Sequence, residues 1–252
     1  MTDIIIQGVC GRMGHALQER IAQRTDCRIV AGVDLHADQT GPFPIFSRFD
    51  DVTVAADVLI DFSAPAATRN ALAYCAAKHL PCVICTTGLT EDIQQQIRAL
   101  SATVPVFQSA NMSIGMNVLI ELCKKASQAL GADYDVEIIE KHHHNKVDAP
   151  SGTALMLADG INGVNGGRYH YVYDRQQVHA KRDPAEIGIC SVRGGSIAGE
   201  HDVLFCGPDE VITLRHTAYS RSVFANGAVN AAVYVARKGP GLYDMGNLIA
   251  ES

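Results

Sequence analysis

The densest polar cluster in this 252-residue chain spans residues 140–153, from Glu140 through Lys141, His142, His143, His144, Lys146 and Asp148 to Ser151, Gly152 and Thr153. Histidine changes charge near neutral pH and lysine carries a compact positive charge, so such a cluster could bind an anion and deliver a proton. Ser151, Gly152 and Thr153 open a predicted helix starting at about Thr153, and backbone N–H groups at a helix start can hold a carboxylate. A ligand with more than one carboxylate suits that combination. Two other readings stand beside it. Imidazoles ligate zinc, although adjacent histidines on an extended segment point to opposite sides and make a poor pair. A charged run can also be a solvated basic loop.

A second chemical signal lies near the beginning, where Gly8, Val9, Cys10, Gly11, Arg12, Met13 and Gly14 follow the apolar run Ile4, Ile5, Ile6. A glycine turn before a helix lets a pyrophosphate approach unpaired N–H groups at the positive end of the helix dipole. The spacing is GxxGxxG rather than the usual GxGxxG, so the glycines alone could be a tight turn. Asp34 strengthens the dinucleotide reading. It stands 20 residues after Gly14, at the end of a second apolar run, where a carboxylate can accept hydrogen bonds from ribose hydroxyls. Its negative charge, followed by Leu35 and His36 rather than arginine or lysine, predicts NADH over NADPH.

The elements that must position these residues follow from periodicity. Met13, Leu17 and Ile21 recur on one helical face, and the run from Ile29 to Val33 completes a βαβ unit. Further strands are predicted at 58–62, 81–86 and 104–107, with helices between them. This alternation specifies a parallel sheet covered on both faces. Ligands of such sheets bind beyond the carboxyl ends of the strands, which places Asp61 to Pro65, Cys85, Thr86, Thr87 and Gly88, and Ser109, Ala110, Asn111 and Met112 near a cofactor. After about residue 113 the pattern changes to a long helix over 113–130, with Ile114, Val118, Leu122 and Ala126 on its apolar face, then mixed strands and helices. Strands are expected at 136–140, 203–205 and 211–216, a glycine-rich loop at 162–167, and a final helix at 224–236 returning to the first domain. The predicted class is therefore α/β with a C-terminal α+β domain.

Composition narrows the function. Hydrophobic residues make up 47% of the chain, and 27 acidic against 21 basic side chains give a net charge of -6, which disfavours nucleic acid. The opening residues lack a basic stretch leading into a long apolar run, and no segment approaches the length of a membrane span, so a cytoplasmic location is expected. Eight cysteines are scattered, mostly within apolar runs. Cys82 and Cys85 have CxxC spacing but sit in a strand pattern, without a redox turn or a second pair for zinc, and are expected to be structural thiols.

Taken together, GxxGRMG at residues 8–14, the TTG loop at 86–88, Ser109-Ala110-Asn111 with the segment 113–117, and E-x-H-H-x-x-K-x-D-A-P-S-G-T at 140–153 resemble the 4-hydroxy-tetrahydrodipicolinate (dihydrodipicolinate) reductases. The similarity continues through 199–201, 216–221 and 224–228, covering essentially the whole chain. The resemblance implies an N-terminal Rossmann-like domain, residues 1–112 completed by 221–252, that binds NADH or NADPH. It also implies a C-terminal α+β domain, residues 113–220, that binds a cyclic dicarboxylate and assembles a homotetramer, with no metal. In that family's terms His142 and Lys146 are catalytic, and His143, Gly152 and Thr153 hold the substrate. Gly8, Val9, Cys10, Gly11, Arg12, Met13, Asp34, Cys85, Thr86, Thr87, Ser109, Ala110, Asn111 and Met112 contact the cofactor. The reaction implied is reduction of 4-hydroxy-tetrahydrodipicolinate to tetrahydrodipicolinate in the diaminopimelate route to lysine. Another two-domain dehydrogenase sharing only the first domain is the enzymatic rival, and a nucleotide-sensing protein without turnover is the non-enzymatic one. The HHxxK and SGT residues argue against the first, and intact His142 and Lys146 against the second.

Overall fold

The structure, a computed structural model, describes residues 1–36, 42–176 and 179–251, and divides into two units: Met1–Ile114 with Arg221–Ser252, and Gly115–Ser220. In the first unit, β1 (Thr2–Gln7) leads through the glycine turn into α1 (Arg12–Ile21) and β2 (Cys27–Val33). There follow β3 (Ile45–Phe46), β4 (Val58–Asp61), α2 (Pro65–Lys78), β5 (Cys82–Ile84), α3 (Glu91–Ser101) and β6 (Pro105–Gln108). The strands order as β3, β2, β1, β4, β5, β6, with every pairing parallel. That is the doubly wound Rossmann order, and the strand sequence reverses between β1 and β4. Alternate residues of one strand serve opposite faces: Ile4 and Ile6 pack with Leu17 and Ile21 of α1, whereas Ile5 packs with Leu72 of α2 and Ile93 of α3. Both faces being covered explains why these strands read as continuous apolar runs.

The second unit begins after the first residue of α4 (Ile114–Leu130), followed by β7 (Asp135–His142), α5 (Gly152–Val164), β8 (His170–Val172), β9 (Glu186–Arg193), β10 (Gly199–Cys206) and β11 (Val211–Ala218). These five strands form a mixed sheet ordered β11, β10, β7, β9, β8, in which β10 runs antiparallel to both neighbours. Ile138, Ile189, Val203 and Phe205 from the sheet pack with Leu119 and Cys123 of α4 and Leu157 and Ile161 of α5. The chain then re-enters the first unit as α6 (Ser222–Val235), β12 (Gly241–Tyr243) beside β6, and α7 (Met245–Ala250). No helix among the described residues is long and apolar enough to cross a membrane.

Three expectations need correction. The buried face of α4 is Met116, Leu119, Ile120, Cys123 and Ser127, whereas Val118 and Leu122 are exposed. Its exposed side mixes Val118 and Leu122 with Glu121, Lys125 and Gln128, so periodicity alone did not select the stripe that meets the sheet. Residues 162–164, expected in a loop, form the last turn of α5. Asn162 exchanges two hydrogen bonds with the backbone of Tyr169, and Asn165 donates to the Ile161 carbonyl, so side-chain bonds offset the low helix propensity there. The short elements β3, β12 and α7 were not anticipated, because two or three residues carry too little periodicity to read.

Candidate active site

At the reversal between β1 and β4, Gly8 adopts a positive φ of 78°, and a side chain there would drive into the Phe62 carbonyl. A Cβ at Gly14 would overlap the carbonyl oxygens of Gly8 and Val9, so only glycine lets α1 start so close to β1. Gly11 is the N-cap without a side-chain cap bond, and no acidic residue stands in the first turn. Asp34 lies just beyond β2, one carboxylate oxygen accepting the Cys10 N–H at 3.0 Å and the other the His36 N–H at 3.2 Å. A carboxylate has further lone pairs to offer ribose hydroxyls. An anion-binding helix start, a turn that excludes side chains and an acid at the neighbouring strand end fit a dinucleotide.

The remaining expected cofactor positions are brought to the same end of the sheet, but several offer only backbone. Val9, Cys85 and Met112 have their side chains in the core. The Thr86 hydroxyl is likewise turned inward, donating to Asp61 Oδ2 at 2.9 Å and accepting the Ser63 N–H at 3.1 Å. Asp61 is fully buried and also accepts from the hydroxyls of Ser63 at 2.5 Å and Thr68 at 2.6 Å. Burial pushes its carboxyl above the ordinary range, partly offset by those hydroxyls. Its sequence position marked it as a strand-end ligand residue; the structure shows it tying the loops after β4 and β5 to one another. Ser109 and Asn111 lock the loop after β6 by side-chain to backbone bonds. Thr87, Ala110, Gly11 and Arg12 are exposed.

In the second unit β7 alternates, placing Val136, Ile138, Glu140 and His142 on the helix-covered face. His142 therefore ends the strand buried, whereas His143 is half-buried and His144 exposed. The His142 Nδ1 is 2.5 Å from Glu140 Oε2, and its ring meets that of His201 edge-on at 5.2 Å. Lys146 pairs with Asp148 at 2.8 Å in the loop that follows. The loop ends at Ser151, whose hydroxyl caps α5 by accepting the Ala154 N–H and lies 3.0 Å from His201 Nε2. Gly152 is exposed and the first turn carries no acidic residue. Among the described residues no group of three His, Cys, Asp or Glu side chains is placed to hold a metal ion.

Sequence reasoning gave no role to Glu140, Arg193 or His201. Glu140 was legible in part, since a residue two before His142 on a strand shares its face. Burial alone would raise the Glu140 carboxyl, but bonds from His142, Arg193 and Ser191 hold it well below the ordinary carboxylate range. Burial, reinforced by the nearby His142, lowers His201 to about 3. An unfolded imidazole titrates near 6.5, so below that pH the unfolded state takes up a proton that folded His201 refuses. Stability is lost on acidification, by at most about 1.4 kcal/mol per pH unit from this group. Glu140 adds to the loss further down, because its stabilisation is full above its unfolded pKa and vanishes as pH falls through its lowered folded value. Urea unfolding of the wild type is expected to show about 1–2 kcal/mol less stability at about pH 5 than at about pH 7. His201→Gln is expected to flatten that dependence; equal slopes in the two proteins would contradict the assignment.

The reversed parallel sheet with its open glycine turn, and a separate mixed sheet carrying an acid-base cluster, define a Rossmann-class oxidoreductase using NAD(P)H. Family models described as "Dihydrodipicolinate reductase, N-terminus" and "Dihydrodipicolinate reductase, C-terminus" match residues 2–112 and 115–249. The chain belongs to the dihydrodipicolinate reductase family. It is 47% identical over 249 residues to the 4-hydroxy-tetrahydrodipicolinate reductase of Caldanaerobacter subterraneus subsp. tengcongensis, covering 99% of this chain and 98% of that one. It is 45% identical over 245 residues to the same-named protein of Clostridium tetani, covering 97% and 96%. Among solved structures, dipicolinate-bound dihydrodipicolinate reductase from Paenisporosarcina sp. TG-14 superposes with a TM-score of 0.79 at 27% identity, covering 97% of each chain.

Proposed function

We propose that this enzyme reduces 4-hydroxy-tetrahydrodipicolinate to tetrahydrodipicolinate in the diaminopimelate route to lysine, with His142 and Lys146 as its catalytic residues. The observation that carries the reading is the convergence of His142, Lys146 and the capped start of α5 within one unit of a chain in this family. The solved relative that holds dipicolinate, a planar cyclic dicarboxylate, supports the substrate class.

In this scheme the α5 start at Gly152 and Thr153, together with His143, holds the ring carboxylates, using helix N–H groups and positive charge. Lys146 exchanges its Asp148 partner for the substrate. A reduced nicotinamide dinucleotide with its pyrophosphate held by the glycine turn would supply the hydride taken up at ring C4. The 4-hydroxyl and a proton from the neighbouring ring carbon leave together as water, and His142 returns a proton to that carbon as the hydride arrives at C4, so hydride plus proton enter and one water departs. General acid help of this kind contributes about 100- to 10,000-fold. A homotetramer assembled through the second sheet accompanies this reading. The sheet face opposite α4 and α5 carries exposed Val192 and Val211 beside the paired charges of Lys141, Glu200, Asp202 and Arg215.

NADH is the proposed cofactor, because the Asp34 carboxylate repels a 2′-phosphate and Leu35 and His36 supply no fixed cation. Residues 37–41 lie outside the described residues. The substrate can be generated in situ from pyruvate and aspartate semialdehyde by the preceding synthase, and nucleotide oxidation followed by absorbance. Wild-type enzyme is expected to oxidise NADH with kcat/KM at least about tenfold above that for NADPH, the ratio that 1.4 kcal/mol of differential binding produces. No oxidation of either nucleotide would defeat the reaction; a preference for NADPH would defeat only the role given to Asp34.

A further inference from the structure

We infer that Glu140 and Arg193 are positioning residues, an ion pair on a buried carboxylate that fixes the His142 tautomer and locks the three segments of the substrate site to one another. The inference rests on the acid role proposed for His142.

Four of the hydrogen bonds reaching the Glu140 carboxylate come from three separate segments. Oε2 accepts from His142 Nδ1 at 2.5 Å and from Arg193 Nη1 at 2.8 Å. Oε1 accepts the Ser151 N–H at 3.1 Å and Arg193 Nη2 at 2.7 Å. Arg193 Nη2 also donates to the Asp148 carbonyl at 2.6 Å. The end of β7 with His142, the loop bearing Lys146 and Asp148, and the cap residue of α5 are thus all bonded to one carboxylate–guanidinium pair. Glu140 is fully buried, and a lone carboxylate there would be driven to protonate. The two-pronged contact with Arg193 keeps it ionised and acceptor-only, as buried pairs of good geometry do.

An ionised Glu140 cannot donate, so neutral His142 must carry its proton on Nδ1 and leave Nε2 as the exchanging atom. Gly199 on β10 lies beside it, and a Cβ at that position would stand 3.1 Å from Nε2. A carboxylate that orients an imidazole without itself taking the proton performs the same service in hydrolase triads, where its amide replacement costs about 10,000-fold.

Long-range nitrogen spectra of histidine-labelled wild-type protein at alkaline pH test the tautomer directly, with the His142 signals assigned by their loss in His142→Gln. Protonated Nδ1 and bare Nε2 are expected, and the reverse tautomer would overturn the inference. This reading needs no variant of Glu140, so it stands whether or not such variants fold. Glu140→Gln is expected to lower kcat about 100-fold or more with KM changed by less than about threefold and NADH affinity unchanged. A wild-type kcat in that variant would overturn the inference. The double variant Glu140→Gln/His142→Gln should be no slower than His142→Gln alone, since residues acting through one another are non-additive. Full additivity would show that Glu140 acts elsewhere. A wild-type rate in His142→Gln would instead remove the acid role of His142 while leaving the tautomer measurement intact.

Discussion

His142→Gln is expected to lower kcat by about 100- to 10,000-fold, the range that a positioned general acid contributes, while NADH binds as tightly as to the wild type. The separation follows from the fold. The glycine turn belongs to the unit built on β1 and β4, and His142 ends β7 in the other. Glutamine keeps a polar group at the site and can donate to Glu140, so the strand end and the α5 cap should persist. What it cannot do is carry a transferable proton. Lys146→Ala is expected to fall in the same class with a larger rise in KM, because Lys146 is also given a part in holding substrate. Steady-state kinetics with fluorescence titration of NADH checks both changes. Wild-type kcat in both variants would remove the site assignment, and a matching collapse of NADH affinity would show that the substitutions damage the fold instead.

Gly227→Ala is expected to destabilise the first unit by about 3 kcal/mol, the upper end of what overpacking costs. At an interior position of α6 the ordinary expectation has the opposite sign, since alanine is favoured over glycine in a helix by about 1 kcal/mol. Here a Cβ would stand 1.6 Å from the Met112 carbonyl oxygen, and a backbone atom cannot rotate away as a side chain can. Met112 closes the loop after β6 that carries Ser109, Ala110 and Asn111, so the displacement should also weaken NADH binding. Urea unfolding gives the measure, with Gly239→Ala as the control because an added Cβ there meets nothing within 4 Å. A Gly227→Ala midpoint equal to or above that of the wild type would show that α6 does not seat as closely as the structure has it.

Much of the fold was legible because its signals are local. Ile4, Ile5 and Ile6 before three glycines, Leu17 and Ile21 one turn apart, and Asp34 after a second apolar run specify a strand, a phosphate-type turn, a helix and a strand without reference to anything distant. The cluster of residues 140–153 was likewise visible as a cluster, since its chemistry is carried by residue types adjacent in the chain. Sequence also placed His142 and His143 on opposite sides, which the strand β7 realises by burying one and half-exposing the other.

What the tertiary structure decided are choices of partner. Arg193 reaches Glu140 across 53 residues of chain because β9 pairs with β7 in a register that sets His142 opposite Arg193. Nothing local distinguishes that arginine from the one at 215, which pairs with Asp202 instead. Whether Thr86 faces a ligand or Asp61, and which stripe of α4 is buried, depend in the same way on neighbours brought in by folding. Periodicity fixes which residues share a face; the object that face meets is set by sheet register and packing over long sequence separations. So the sequence by itself determined the glycine turn, the polar cluster and the parallel sheet that supports the first of them. The bonds that orient His142 were settled only when distant strands were laid side by side.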